Sequence, residues 1–214
     1  LTQIGSHISE IQGIFITHEH TDHTRGLEVL LRKHPTPVYI SESTYNEIPL
    51  EIHRENLNFI RTDQTIQING TEIQSLSKSH DAVDPSLFCF HYNGIKVSVI
   101  TDAGYGCGNI ARAIKDADVL FLETNYDEKM LRAGFYPPQL KRRIESKHGH
   151  LSNSDAANLV VRHATPNLQY FFLSHLSENN NTPNLALETV QSILKQREDL
   201  SHLQTVLTSR HDVS

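Results

Sequence analysis

The stretch Thr17-His18-Glu19-His20-Thr21-Asp22-His23 sets three histidines and an aspartate within positions 18 to 23. It follows "IQGIFIT" (11–17), a short apolar, β-branched run that reads as a buried strand. Open α/β sheets place their sites at the carboxyl ends of strands, where these residues fall. Side chains alternate in direction along a strand or tight loop, which predicts His18, His20 and Asp22 on one side and His23 across from them. A lone histidine after a strand is more often a surface or core residue than a ligand. Recurrence overturns that reading here. His80 and Asp81 follow "EIQSLSKS" (72–79), Asp102 follows "IKVSVIT" (95–101), and His175 follows "LQYFFLS" (168–174). Imidazole and carboxylate together suit zinc, and also manganese or iron. Two such ions about 3.5–4 Å apart clamp attacking and leaving oxygens. A carboxylate between two cations is far better stabilised than one buried alone, which makes Asp102 the bridging candidate.

Outward from this cluster, short strands alternate with helical patterns: helix 24–34, strand 37–41, short strands between 57 and 76, and strands 87–92 and 95–101. "NG" at 69–70 and at 93–94 predicts two hairpins. A helix near 109–115, a strand at 118–124 and helices at 127–133, 138–146 and 153–163 follow, the last opened by Ser152 or Ser154. Strand 168–174, the loop 177–184, helix 184–197 and strand 203–209 complete the pattern. Hairpins mixed with strand–helix units predict an α/β sandwich rather than an all-parallel sheet.

The 214 residues suit a single domain spanning 1–214, with 37% hydrophobic and 21% charged residues. No apolar run reaches the roughly 18 residues of a membrane span, and no signal segment is evident, so the expected compartment is the cytoplasm and no membrane partner is expected. Cys89 and Cys107 give neither a disulfide framework nor a thiol metal motif. Cys89 lies in an apolar run and is expected to be buried, whereas Cys107 sits in a Gly-rich loop near the Asp102 motif. Of fourteen histidines, His34, His53, His202 and His211 read as surface residues. The net charge of −6 argues against a surface coated in phosphate-binding groups, although bound cations would add charge that the count omits.

"HEHTDH" (18–23) resembles the H-x-H-x-D-H signature of the metallo-β-lactamase superfamily, and the resemblance runs from about residue 11 to the carboxyl terminus. It implies a four-layer αβ/βα sandwich in which His18, His20 and His80 hold one metal, Asp22, His23 and His175 the other, and Asp102 bridges. "FLETNYD", "GHLSNSDAANLV" and "FFLSHLSENNN" resemble the phosphodiesterase branch that includes ribonuclease Z, with Glu123, His150 and His175 in matching order. "SHDAVDP", "TDAGYG" and the "YPPQLKRRIESKHGHLSN" run are similar to the small YycJ/WalJ-type proteins, which implies a 5′→3′ exonuclease on DNA. The same resemblance implies strands upstream of Leu1, so the domain is expected to be amino-terminally incomplete.

The expected chemistry is in-line attack of metal-activated water on a phosphodiester, favouring DNA over RNA. Asp22 orients that water or accepts its proton, and His150, held protonated by Glu123, donates to the leaving oxygen. His148 is the competing donor. Lys141, Arg142, Arg143 and Lys147 offer a phosphate-binding edge on an otherwise acidic chain, with Arg25 and Arg132 as weaker candidates. Tyr105 and Tyr136 could stack on bases, and Asp81 and Asp84 could orient His80. Two alternatives stay open: a hydrolase of thioesters, lactones or β-lactams on the same metals, and a non-catalytic metal-binding protein.

Overall fold

Two β-sheets lie face to face between helical layers in the computed structural model, which describes residues 2–209. The surface reading of His211 falls outside that range. The first sheet is wholly parallel, with order β1 (Ile14–Phe15), β2 (Val38–Ile40), β3 (Leu57–Phe59). Between its strands run α1 (Thr21–Thr24), α2 (Leu27–Lys33) and α3 (Glu42–Glu47). The second sheet begins with β4 (Thr65–Ile68), β5 (Thr71–Ser77), β6 (Ser86–Tyr92) and β7 (Ile95–Ile100), each antiparallel to the next. It continues through α4 (Gly108–Lys115), β8 (Val119–Glu123), α5 (Glu128–Ala133), α6 (Pro138–Ile144) and α7 (Asn153–His163) to β9 (Tyr170–Ser174). After α8 (Pro183–Leu194), β10 (Gln204–Leu207) closes the seven-stranded order β10-β9-β8-β7-β6-β5-β4, parallel from β7 to β10.

Strand alternation builds the layers. In β6, Leu87 and Cys89 face the helices while Phe88 and Phe90 face the other sheet. In β2, Val38 and Ile40 join Leu27 and Ile48 on the helical side, and Tyr39 turns inward to stack on Phe15 with ring centroids 4.8 Å apart. The largest core lies between the second sheet and α4, α7 and α8, around Ile110, Ala157, Val160 and Val190. Truncating a fully buried member such as Leu122 should cost about 2–5 kcal/mol. The four-layer order α–β–β–α follows, as the motif resemblance implied.

Both hairpins turn where expected: Asn69 and Gly70 have φ of 49° and 83°, and Asn93 and Gly94 have φ of 50° and 80°. These positive values are what a two-residue type I′ turn requires. Other boundaries shift. Only Ile14–Phe15 of the expected strand 11–17 joins a ladder, because its neighbour β2 has just three residues to offer. The expected helix 24–34 divides into α1 and α2 at Arg25-Gly26, and α1 starts early enough to contain Asp22 and His23. Ser152, not Ser154, caps α7 by accepting the Asp155 amide.

Topology brings the chemistry to one rim. β5 and β7 are both antiparallel to β6 and so run the same way, and β8 and β9 run with β7. Residues just past β5, β7, β8 and β9 therefore emerge at one end. The Ser86 amide donates to Thr17 O at 2.9 Å and ties the first sheet's exit to that same end.

Candidate metal centre

Three imidazoles meet first. His18, fully buried after β1, has Nε2 3.1 Å from His20 Nδ1, which lies 3.3 Å from His80 Nε2. Zinc–nitrogen bonds of about 2.0–2.1 Å in tetrahedral array separate donors by roughly 3.3 Å, so this spacing suits one cation. The far nitrogens are pinned: His18 Nδ1 by Thr17 Oγ1 at 2.9 Å, and His80 Nδ1 by the carbonyl of Gly149 at 3.1 Å. A Cβ on Gly149 would lie 2.1 Å from Ile144 O, so only glycine permits that approach.

The second group comprises Asp22, His23 and His175, whose donor atoms all lie within 4.8 Å of one another. Asp22 Oδ2 is 3.6 Å from His23 Nε2 and 3.8 Å from His175 Nε2. Strand-like alternation would have aligned Asp22 with His18 and His20. The helical turn of α1 instead puts Asp22 beside His23, and that geometric expectation is corrected. Between the groups stands Asp102, 2% exposed, with Oδ1 3.8 Å from His80 and 3.5 Å from His175, and Oδ2 3.1 Å from His23. No hydrogen bond of acceptable geometry satisfies its buried Oδ2 among the described residues. Such an atom is costly to leave without a cation, so the donor set fits divalent metal ions. Asp102 and His175 also have positive φ, 52° and 57°, at the ends of β7 and β9. Both are held there against an unfavourable backbone well, a strain typical of sites.

Glu123, at the end of β8 and wholly buried, organises the surrounding loops. Its Oε2 accepts from His150 Nδ1 at 2.9 Å, His175 Nδ1 at 2.8 Å and the Asp102 amide at 3.1 Å. Its Oε1 accepts the Leu151 and Ala103 amides at 2.8 and 3.2 Å. Asp102, Glu123, His150 and His175 also cluster closely enough to suggest a ligand set. Because Glu123 is saturated by these donors, it reads as an orienting group rather than a ligand. His150 is thereby freed from helix capping and lines the cleft.

Charge is divided unevenly. Burial, reinforced by the Lys78 charge, holds His18 at about 2, and burial lowers His80, so both present bare nitrogen lone pairs near neutrality. Burial opposes protonation of His175, but the hydrogen bonds it donates to Asp22 and Glu123, with the charges of Glu123 and Asp102, carry it to about 10. His150 is likewise raised, Glu123 outweighing burial. Burial would raise Asp102 and Glu123, yet neighbouring imidazoles hold both below the usual carboxylate range, Glu123 at about 2. The His175 bond keeps Asp22 low as well.

Other expectations are revised. Asp84 accepts from Thr62 Oγ1 at 2.7 Å and does not serve His80, and Asp81 pairs with Arg143 while sitting 3.4 Å from His80 Nε2. Lys141 Nζ donates to the carbonyls of Arg132 and Gly134, capping α5, so it is committed to structure. Arg142 and Lys147 are exposed and line no part of the cleft, which leaves Arg143 of the four. Arg132 pairs with Glu145 at 3.7 Å, and Arg25 and Tyr105 also stay outside the cleft. His148 is exposed, 3.4 Å from Ser79 Oγ, and does not line the cleft either. Cys89 is buried as expected, while half-buried Cys107 precedes α4 and does not line the cleft. Lys78 is unforeseen: buried beneath the donors, lowered to about 8 by burial, it donates to Thr101 O at 2.5 Å beside Asp102. Lys78 lies one residue past β5, where strand alternation no longer applies, so the sequence carried no signal for its burial. Asn125, also unforeseen, donates to His175 O at 2.9 Å.

The cleft has a volume of about 970 Å³ and runs from these donors past Tyr136, Leu140 and Arg143 to Asn179 and Thr208. Comparison with known proteins agrees with this geometry: the Beta-lactamase superfamily domain matches residues 2–172. The chain belongs to the metallo-β-lactamase superfamily. It is 39% identical over 193 residues to exodeoxyribonuclease YycJ of Bacillus anthracis, covering 89% of this chain and 73% of that protein. Identity to exodeoxyribonuclease WalJ of Streptococcus pneumoniae is 33% over 201 residues, 92% of this chain and 75% of that one. The metallo-β-lactamase fold protein YhfI of Bacillus subtilis superposes with a TM-score of 0.71 at 16% identity, over 97% of this chain and 79% of that one. Membership together with the two exodeoxyribonuclease relatives makes this metallo-β-lactamase protein a metal-dependent hydrolase. No helix among the described residues is long and apolar enough to cross a membrane.

Proposed function

We propose that the chain is a cytoplasmic two-metal nuclease acting as one domain, a 5′→3′ exonuclease on DNA rather than RNA. The observation that carries this reading is Asp102, a buried carboxylate with an unsatisfied oxygen between two imidazole-rich donor groups. His18, His20 and His80 would hold one ion and Asp22, His23 and His175 the other, with Asp102 shared. Zinc suits these five imidazoles and two carboxylates best, with manganese or iron as alternatives. When bound, the ions supply electrophilic assistance to the phosphate and lower the pKa of water at the site.

The protein's own groups do the rest. Asp22, largely open to the cleft, accepts the proton of the attacking water. His150 Nδ1 is engaged by Glu123, which leaves Nε2 to protonate the oxygen that departs as the phosphorus–oxygen bond breaks. Arg143, steadied by Asp81, meets a phosphate oxygen at the cleft's edge. The resemblance to two exodeoxyribonucleases favours DNA and terminal cleavage. Metal-supplied protein is to be incubated with end-labelled single-stranded and duplex DNA and RNA, alongside Asp102→Ala. Stepwise loss of nucleotides from the 5′ end of DNA, absent in the variant, is expected. Hydrolysis of a chromogenic lactone or thioester without nucleotide release would overturn the reading.

A further inference from the structure

Phe135 is 80% exposed, the most open large apolar side chain among the described residues. An isolated exposed apolar residue usually needs no explanation. This one sits in the segment between α5 and α6, outside the cleft lining itself but next in sequence to Tyr136, which lines it. That segment is firmly braced. The Gly134 amide donates to Met130 O at 2.7 Å, and Lys141 Nζ donates to Arg132 O and Gly134 O at 2.8 and 2.6 Å. Tyr136 packs beside Tyr126, Leu131 and Ile144, and its hydroxyl accepts from Asn179 at 3.0 Å. Pro137 and Pro138 stiffen the passage into α6, which carries Arg142 and Arg143. The two aromatic rings meet edge to face, 5.3 Å apart at 89°, so Phe135 leans on Tyr136 with its ring in solvent.

An aromatic carried open to solvent on a braced backbone beside a cleft presents a surface to a planar ligand with little backbone ordering to lose on binding. We propose that Phe135 is a stacking platform for an unpaired nucleobase of the strand entering the cleft, next to the nucleotide being cut. Lys141, which sequence alone marks as a phosphate contact, acts here as the brace of that platform. The placement rests on the nuclease reading above and specifies how that site grips its substrate. Stacking is sequence-tolerant because every base has a π-face, which suits an enzyme that must accept each nucleotide in turn.

The test compares the unaltered chain with Phe135→Ala and Phe135→Trp on single-stranded DNA. Binding is read by fluorescence anisotropy on a cleavage-resistant phosphorothioate strand, and cleavage on an ordinary one. Phe135→Ala should weaken binding and raise KM by about five- to a hundredfold, with kcat much less affected, and Phe135→Trp should restore both. A single abasic nucleotide moved stepwise along the strand should erase the penalty at one position, as a double-mutant cycle requires. A penalty that persists with the abasic nucleotide at every position would overturn the proposal. So would an unchanged affinity in Phe135→Ala, or a change of oligomeric state by light scattering in place of a base-dependent effect. If the unaltered chain binds with this dependence yet cuts no strand, the platform stands and the nuclease reading falls.

Discussion

The two halves of the centre are built from similar side chains but in opposite conditions. His18, His20 and His80 form the drier half: the His80 side chain is 2% exposed, and burial keeps both His18 and His80 neutral. Asp22, His23 and His175 form the wetter half, with side chains 65%, 19% and 25% exposed, and His175 holds its proton to about 10. In the first half, His18 and His80 are prepared to accept a cation without losing a proton. The second must expel one from His175 before its nitrogen can coordinate. Two ions in one centre should therefore differ in affinity and in pH dependence, although their ligands look interchangeable on paper.

The most severe way to break the contrast is to remove what the halves share. Asp102→Ala should abolish measurable hydrolysis and reduce metal content, read by turnover and elemental analysis. Next, His150→Ala should lower turnover by about a hundredfold while metal content stays intact. Equal loss of both would place His150 among the ligands instead of beside them. The pH dependence sharpens the contrast further. Because His175 is raised to about 10, a cation entering the wetter half displaces one proton throughout the range below that value. Its affinity should rise about tenfold per pH unit below that value, more steeply than that of the drier half, where His18 and His80 have no proton to lose. Competition with a chromophoric chelator at several pH values checks this, and two parallel slopes would contradict it. Arg143→Ala should have the smallest effect, raising KM for DNA about threefold with turnover retained, because the guanidinium is 59% exposed and solvent screens it.

The halves also differ in how plainly they could be read. His18, His20, His80, Asp102 and His175 each stand just past an apolar run, so strand periodicity alone exposes them. Asp22 and His23 were visible as residue types, but their direction was not, because one helical turn at Thr21–Thr24 replaces the alternation that a strand would impose. The hairpins at 69–70 and 93–94 were legible because positive φ demands particular residues. β1 was overestimated because the length of a strand depends on its partner, and β2 is remote in sequence and short. Lys141 misled for a related reason. A basic run on a short helix looks like a phosphate edge, and only the folded chain brings the carbonyls of Arg132 and Gly134 within its reach. Lys78 and Phe135 escaped notice because their significance lies in burial and exposure, which composition does not encode.

The most direct measurement is metal stoichiometry, determined by mass spectrometry on folded, metal-supplemented protein, unaltered and as His175→Ala. The account predicts two ions per chain in the first and one in the second, the retained ion being the one whose affinity depends less steeply on pH. No bound ion in the unaltered chain, or an equal number in both proteins, would contradict it.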